Sequence, residues 1–191
     1  MEPLEIVVQI IGFAGMAMNC LSYQFKTKRA LILTQLFGSL FFVLHFGLLG
    51  AIMGCLLNLI GAARALVFSN KERLKADHPL WLVLFITLYA LTYILTFTVF
   101  KEEVTLPNLL LQSLPTAAMV VSTVSFRTKN AATVRKLSLF SSPLWLVYNV
   151  ASFSISGVLT ETVSLISILT GIWRLDRKEK PAKESKKGFF E

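Results

Sequence analysis

Long apolar segments alternate with short charged ones along the chain. Runs without Asp, Glu, Lys or Arg cover residues 6–25, 30–63, 79–100 and 104–126, and a fifth run, 137–173, is interrupted only by Glu161. A membrane-spanning helix needs about 20 predominantly apolar residues. The first, third and fourth runs therefore predict one spanning helix each.

The second and fifth runs are too long for one span. As single helices they would exceed about 50 Å at 1.5 Å per residue, against a hydrocarbon core of about 30 Å. We expect each run to fold back as a helical hairpin, which brings the total to seven spans. The residues that favour a turn are Gly47 and Gly50 in the second run and Ser154, Ser156 and Gly157 in the fifth.

The two halves of the chain align with each other at an offset of 103 residues. Matched pairs include Ala14 with Ala117, Met16 with Met119, Ser22 with Ser125, Lys26 with Lys129 and Gly54 with Gly157. This predicts an all-α membrane protein with a 3+1+3 plan, in which the inserted span gives the two repeats a parallel orientation. The predicted segments are a first repeat (1–69), a loop and linker helix (70–103), a second repeat (104–175) and a basic, disordered cytoplasmic tail (176–191).

Composition agrees with this interpretation. The 191 residues are 54% hydrophobic and 16% charged, whereas soluble domains have about 25% charged residues. So apolar a chain is neither a soluble domain nor a disordered one. Cys20 and Cys55 lie inside apolar runs, so no disulfide framework is indicated. The N-terminus is acidic rather than basic, and we expect the first run to be a retained span rather than a signal peptide.

The net charge of +8 is distributed unevenly across the predicted topology. The segments after spans one, three, five and seven hold 18 of the 19 basic residues, counting Arg64 as the rim of the second segment. The positive-inside rule then places the N-terminus outside and the C-terminus in the cytoplasm. The basic excess indicates contact with anionic lipids rather than with nucleic acid.

Polar residues at membrane depth are costly and are the candidates for function. Asn58 and Glu161 stand at equivalent positions of the two repeats. If the repeats face each other, both could reach one central cavity and bind a small polar ligand. Nearby candidates for its walls are His45, Tyr148, Asn149, Trp145 and Phe42.

Each candidate also has a structural interpretation. Glu161 could cap the outer end of its helix, His45 could be a hydrogen-bonded core residue, and Asn58 could join two helices. The aromatic residues Phe42 and Trp145 could simply pack in the core or lie at the membrane interface.

Other features bear on mechanism. Pro115 lies mid-span and removes a backbone hydrogen bond, so it is the candidate hinge, whereas Pro107 is placed to begin a helix. The sequence has no HExxH, GxSxG or Walker A motif and only two histidines, His45 and His78. We therefore expect neither an enzyme, nor a bound metal, nor a cofactor.

Two groups of residues carry a family resemblance. The stretch from His45 to Ala51, with Asn58 and Arg64, resembles the YgjV-type bacterial inner-membrane proteins, as do Trp145, Asn149, Gly157, Glu161 and Arg174. That family is similar in plan to the SWEET and PQ-loop transporters, which have two three-helix bundles joined by a linker helix. The resemblance implies a transporter with Asn58 and Glu161 in the pocket. The Pro-Gln pair of those transporters corresponds to Tyr23-Gln24, so the proline is missing here.

Together these features predict a seven-span carrier that moves a small polar metabolite by alternating access, either facilitated or coupled to protons. One alternative is a membrane receptor, or a subunit that binds a lipid or a protein partner, with the same plan. A second alternative is an intramembrane enzyme, which would need His45 and Glu161 within reach of one substrate atom.

Overall fold

A computed structural model describes residues 3–176, and this part of the chain is all-α, as predicted. Seven α-helices are followed by a short π-helical turn, Ile172–Asp176. The helices are α1 (Pro3–Ser22), α2 (Lys28–Leu48), α3 (Ile52–Ser69), α4 (Pro79–Thr98), α5 (Leu106–Arg127), α6 (Ala131–Ala151) and α7 (Ile155–Gly171). The predicted tail lies outside the described residues, apart from Asp176.

Side-chain caps explain where most of the helices begin. Thr27, Thr105, Asn130 and Ser154 each precede a helix and accept a hydrogen bond from a backbone N–H of its first turn. Such caps satisfy N–H groups that have no partner within the helix. Pro107 lies in the first turn of α5, as predicted.

The two predicted hairpin turns are present, one of them slightly displaced. The first has Gly50 in a left-handed conformation with φ of +72° between α2 and α3, whereas Gly47 lies in the last turn of α2, so its prediction as a turn residue was wrong. The second is centred on Phe153, whose φ is +51°, so the prediction of Ser156 and Gly157 as turn residues was wrong. Both lie in the first turn of α7, because Ser154 caps that helix and starts it at Ile155.

Six of the seven described helices are long and apolar enough to cross a membrane; the exception is α6. At 21 residues α6 measures about 31 Å, which is sufficient length. Its polarity comes from two cations near its start, Arg135 and Lys136, and from three serines and Asn149 further along. Several of these polar side chains point to the interior of the bundle, as shown below.

The helices form a closed ring of six with the seventh outside it. In ring order, α1, α2, α3, α5, α6 and α7 each pack against the next, and α7 packs against α1. The remaining helix, α4, lies outside the ring against α3 and α5. The outer faces of the bundle carry exposed leucine, isoleucine, valine and phenylalanine side chains, which suits contact with lipid.

Helix positions in the two halves correspond closely. Helices α1, α2 and α3 begin at residues 3, 28 and 52, and α5, α6 and α7 begin at residues 106, 131 and 155. The offset is 103 residues in every case. Within each set of three, the middle helix packs against both of the others.

The basic loops meet at one end of the bundle. Arg127, at the end of α5, donates a hydrogen bond of 3.1 Å to the carbonyl oxygen of Asp77 in the α3–α4 loop. Arg174 donates at 3.4 Å to the carbonyl oxygen of Gln24 in the α1–α2 loop. In the α3–α4 loop Lys71 pairs with Asp77 at 2.8 Å. The hydrogen bond from Lys71 holds the pKa of the Asp77 carboxyl below its usual range, because it favours the charged form.

Candidate functional site

The ring encloses a polar cavity of about 90 Å³, enough for several water molecules or a small solute. All six ring helices contribute to its lining, and none of the lining residues lies on α4. The polar lining residues are Asn19, Tyr23, Gln35, Ser39, Asn58, Arg64, Ser122, Ser125, Ser138, Ser141, Ser142, Asn149, Thr160 and Glu161. A polar interior inside an apolar outer surface is the arrangement expected where a membrane protein handles a polar solute.

Five of the predicted site residues line this cavity: Asn58, Glu161, Asn149, Trp145 and Phe42. The side-chain N–H of Asn58 donates at 2.8 Å to the carbonyl oxygen of Gly54 in the same helix. Within residues 3–176 its side-chain oxygen makes no hydrogen bond, which leaves an acceptor for a ligand. The structure therefore brings Asn58 and Glu161 to one cavity from the two halves of the chain.

Glu161 faces the cavity from the seventh position of α7, well beyond the first turn of the helix. This depth does not suit an end cap, which acts within the first turn. The hydroxyl of Ser142, on α6, lies beside the Glu161 carboxyl group. In the described part of the chain Glu161 forms no ion pair with a basic residue.

Asn149 contacts α7 at Gly157. A Cβ atom at Gly157 would lie 2.6 Å from the side-chain oxygen of Asn149, so only glycine leaves room for the asparagine. That oxygen is buried and has no hydrogen-bond partner among the described residues. An unpaired buried acceptor is uncommon and is satisfied when a donor enters the cavity.

His45 and Tyr148, the other two predicted ligand-binding residues, lie behind the lining. His45 is 0% exposed. One ring nitrogen lies 3.0 Å from the carbonyl oxygen of Val8, and the other lies 3.2 Å from the hydroxyl of Ser154 and 2.9 Å from that of Ser156. The histidine therefore ties α2 to α1 and α7.

Tyr148 is buried and packs edge-on against Trp145, with ring centroids 5.7 Å apart. It supports the tryptophan that lines the cavity. Pro115, the predicted hinge, is fully buried in the middle of α5 and lies outside the lining.

Sequence reasoning missed the role of Arg64. The sequence places it at the rim of a loop, but it lies five residues before the end of α3 and is only 6% exposed. Arg64 lines the cavity, and the central carbon of its guanidinium stands 4.5 Å from the centre of the Phe126 ring. Helical spacing was the available signal, because Asn58, Gly61 and Arg64 or Ala65 fall on one face at intervals of three and four.

A buried ion pair at the basic end was also not foreseen. The guanidinium of Arg135 pairs with the carboxylate of Asp176, and the two side chains are 3% and 9% exposed. Arg135 also donates at 3.0 Å to the carbonyl oxygen of Phe25. Through these bonds α6 holds the end of α7 against the loop that follows α1.

No metal centre is formed by the residues that the structure describes, since no three His, Cys, Asp or Glu side chains come together there. Cys20 and Cys55 are free thiols, and both are half-buried.

Comparison with known proteins gives one result. No curated protein matches the sequence, and no solved structure matches the fold. Residues 6–179 match the family Imp-YgjV, described as bacterial inner membrane protein. This match covers nearly the whole chain and agrees with the apolar helices and with the predicted resemblance. The chain is therefore a multi-pass protein of the bacterial inner membrane and belongs to the YgjV family.

Proposed function

We propose that this protein carries a small polar metabolite across the inner membrane by alternating access, with the ring cavity as its binding site. The observation that carries the proposal is the cavity itself. It is polar, it lies inside a bundle with an apolar outer surface, and both halves of the chain line it. Polar groups at membrane depth are energetically costly, so a core that served only for packing would contain fewer of them.

The proposed topology has seven spans, with α6 crossing the membrane between α5 and α7. Its three serines and Asn149 face the cavity, so much of its low hydropathy follows from its position in the ring. The basic end of the bundle faces the cytoplasm and anionic lipids, and the N-terminus is outside. The equal helix offsets support two parallel repeats linked by α4, as in the SWEET-like plan.

Two separate closures along the α1–α7 contact support alternating access. The bonds of His45 to Val8, Ser154 and Ser156 join α1, α2 and α7 near one end. At the basic end, Arg135 bonds to Asp176 and to the α1–α2 loop. A carrier needs two closures that can open in turn, and hydrogen bonds and an ion pair can both be exchanged for water.

The lining residues have distinct roles in this proposal. Asn58 and Glu161 bind the polar groups of the metabolite, while Phe42 and Trp145 cover its apolar faces. If Glu161 also carries the coupling proton, transport depends on pH, and this dependence disappears in Glu161→Gln. A wild-type flux that is the same at every pH contradicts the coupling.

The first test is thermal unfolding of the purified protein in detergent against sugars, vitamins, nucleosides and amino acids. A ligand at 100 times its dissociation constant adds about 2.7 kcal/mol of stability. We expect at least one compound to stabilise the wild type but neither Asn58→Ala nor Glu161→Ala. Asn70→Ala, a change of a half-buried asparagine that follows α3 and lies outside the lining, is the matched control. A hit that survives in both cavity variants contradicts the assigned site.

A further inference from the structure

We propose that the cavity binds a small zwitterion, with Arg64 at its carboxylate and Glu161 at its amine. This inference rests on the proposed function, because it takes the cavity to be the substrate site. It identifies the substrate as an amino acid or a close analogue with a short side chain.

Arg64 has hydrogen-bonding capacity that the described residues leave unused. Its Nη1 atom donates to the carbonyl oxygen of Met119 at 3.1 Å and to the hydroxyl of Thr123 at 3.2 Å. Its Nε atom is buried and has no partner, and within residues 3–176 the side-chain hydrogen bonds of Arg64 are all donated by Nη1, so Nη2 donates none. The unused pair, Nε and Nη2, is one edge of the guanidinium, and two parallel N–H groups on one edge match a carboxylate.

The position of this edge is fixed by the surrounding helices. Thr123 donates its only hydroxyl proton to the carbonyl oxygen of Met119, so Tyr89 on α4 is the donor in the 2.9 Å bond between the two hydroxyls. The ring of Phe126 covers one face of the guanidinium. A group held in this way loses little freedom on binding, which favours affinity.

The charge of Arg64 is not neutralised within the described chain. The ion pairs there are Lys71 with Asp77 and Arg135 with Asp176, so neither Arg64 nor Glu161 takes part in one. A buried charge without a counter-ion is strongly unfavourable. The cavity thus holds one basic side chain, Arg64 on α3, and one acidic side chain, Glu161 on α7, at a separation beyond ion-pair contact.

A zwitterion satisfies both charges at once and leaves the cavity neutral. A simple anion would leave Glu161 without a partner, and a simple cation would leave Arg64 without one. The volume of about 90 Å³ favours a short side chain. Phe42 and Trp145 offer apolar surface for that side chain, and the free oxygen of Asn149 accepts a further N–H donor.

The test measures binding of L-alanine to the purified full-length protein by calorimetry, with propionate, ethylamine and glycerol as matched analogues. Alanine is expected to bind at least tenfold more tightly than each of the three. We expect Arg64→Gln to weaken the binding of alanine at least tenfold and to leave the binding of ethylamine unchanged. We expect Glu161→Gln to weaken the binding of alanine by a similar factor and to leave the binding of propionate unchanged.

Two further variants keep the test interpretable. Arg64→Lys retains the positive charge but lacks the two-pronged edge, so we expect an intermediate affinity for alanine. Arg174→Gln removes an exposed arginine that is not part of the lining, and it should bind alanine as the wild type does. If Arg64→Gln does not fold, the Arg64→Lys result and the analogue series on the wild type decide the question.

The outcomes separate this inference from the proposed function. Wild-type affinity for alanine in a folded Arg64→Gln or Arg64→Lys variant overturns the zwitterion site. The zwitterion site is also overturned if propionate, ethylamine or glycerol binds to the wild type as tightly as alanine does. If a sugar or a nucleoside binds through Asn58 and alanine does not bind, the zwitterion site is overturned, but the carrier proposal is not. Alanine that binds in the cavity but never crosses the membrane supports this site and contradicts the carrier.

Discussion

Gly50 and Phe153 occupy equivalent positions in two helical hairpins 103 residues apart, and both have left-handed backbone, with φ of +72° and +51°. The first hairpin uses the residue that adopts this conformation without strain. The second uses a bulky residue for which it is unfavourable. The same turn is therefore built in both halves, with a suboptimal residue in one of them.

Replacing Phe153 by glycine should stabilise the protein. The left-handed conformation costs a residue with a Cβ about 1–2 kcal/mol, and the Phe153 side chain is 89% exposed, so little packing is lost. Glycine also makes the unfolded chain more flexible, so we expect a net rise of about 0.5–1 kcal/mol in the free energy of unfolding. Gly50→Ala should cost about 1 kcal/mol for the same reason.

The measurement is the thermal unfolding midpoint of each variant in detergent. Gly47→Ala is the control, because Gly47 is helical and a Cβ there would meet its nearest neighbour at an ordinary 3.6 Å. A lower midpoint for Phe153→Gly than for the wild type would show that the turn is not strained.

His45→Ala should destabilise the bundle without weakening ligand binding. The change leaves a void beside Phe42 and removes the partner of Val8, Ser154 and Ser156. Lost packing and unpaired groups of this kind cost about 2–4 kcal/mol. Unfolding and binding are measured on the same preparation, with His78→Ala as control. That change removes only an exposed N-cap of α4 and should cost about 1 kcal/mol. Normal stability with lost binding would assign His45 to the ligand instead.

The two ion pairs near the basic end should respond differently to loss of the carboxylate. Asp176→Asn leaves the charge of Arg135 buried and unpaired, which costs about 3–5 kcal/mol. Asp77→Asn removes an exposed pair, whose side chains are 29% and 69% accessible, and should change stability little. Unfolding midpoints compare the two variants directly. Equal effects would mean that the Arg135–Asp176 pair does not hold the helix ends together.

Pro115→Ala should slow transport while leaving ligand affinity unchanged. Alanine restores the backbone hydrogen bond that proline lacks and so stiffens the middle of α5. We expect about a tenfold lower flux of whichever compound stabilises the wild type. Pro107→Ala, in the first turn of α5, is the control, because no helical bond is missing there. An unchanged flux in Pro115→Ala would exclude the hinge.

Helix number and most helix ends were predictable, because apolar length, charged interruptions and caps are local properties of the sequence. The displaced turn at Phe153 shows the limit of that reasoning, since no residue there favours a left-handed conformation. The low hydropathy of α6 is likewise visible in the sequence, but its cause is not. It follows from a position in the ring that only the tertiary packing determines.

The candidate site was predicted in part. Asn58 and Glu161 were paired by the repeat, and both line the cavity. Arg64 was counted with the basic loop that follows it, because of its position along the chain. That reasoning ignores the direction in which a helical side chain points. The partners of His45 are 37, 109 and 111 residues away, and Asp176 is 41 residues from Arg135. No local sequence pattern predicts contacts between residues so far apart along the chain.

Access to the cavity from each side of the membrane tests the central claim most directly, and it needs no known substrate. In a Cys20→Ser, Cys55→Ser background, Ser142→Cys places one thiol in the cavity beside Glu161, and Leu169→Cys places a control thiol on the lipid-facing surface. Each is exposed to a membrane-impermeant thiol reagent in right-side-out and in inside-out vesicles. Alternating access predicts modification of the cavity thiol in both, with the lipid-facing thiol unmodified. Modification from one side only would contradict a carrier and indicate a receptor.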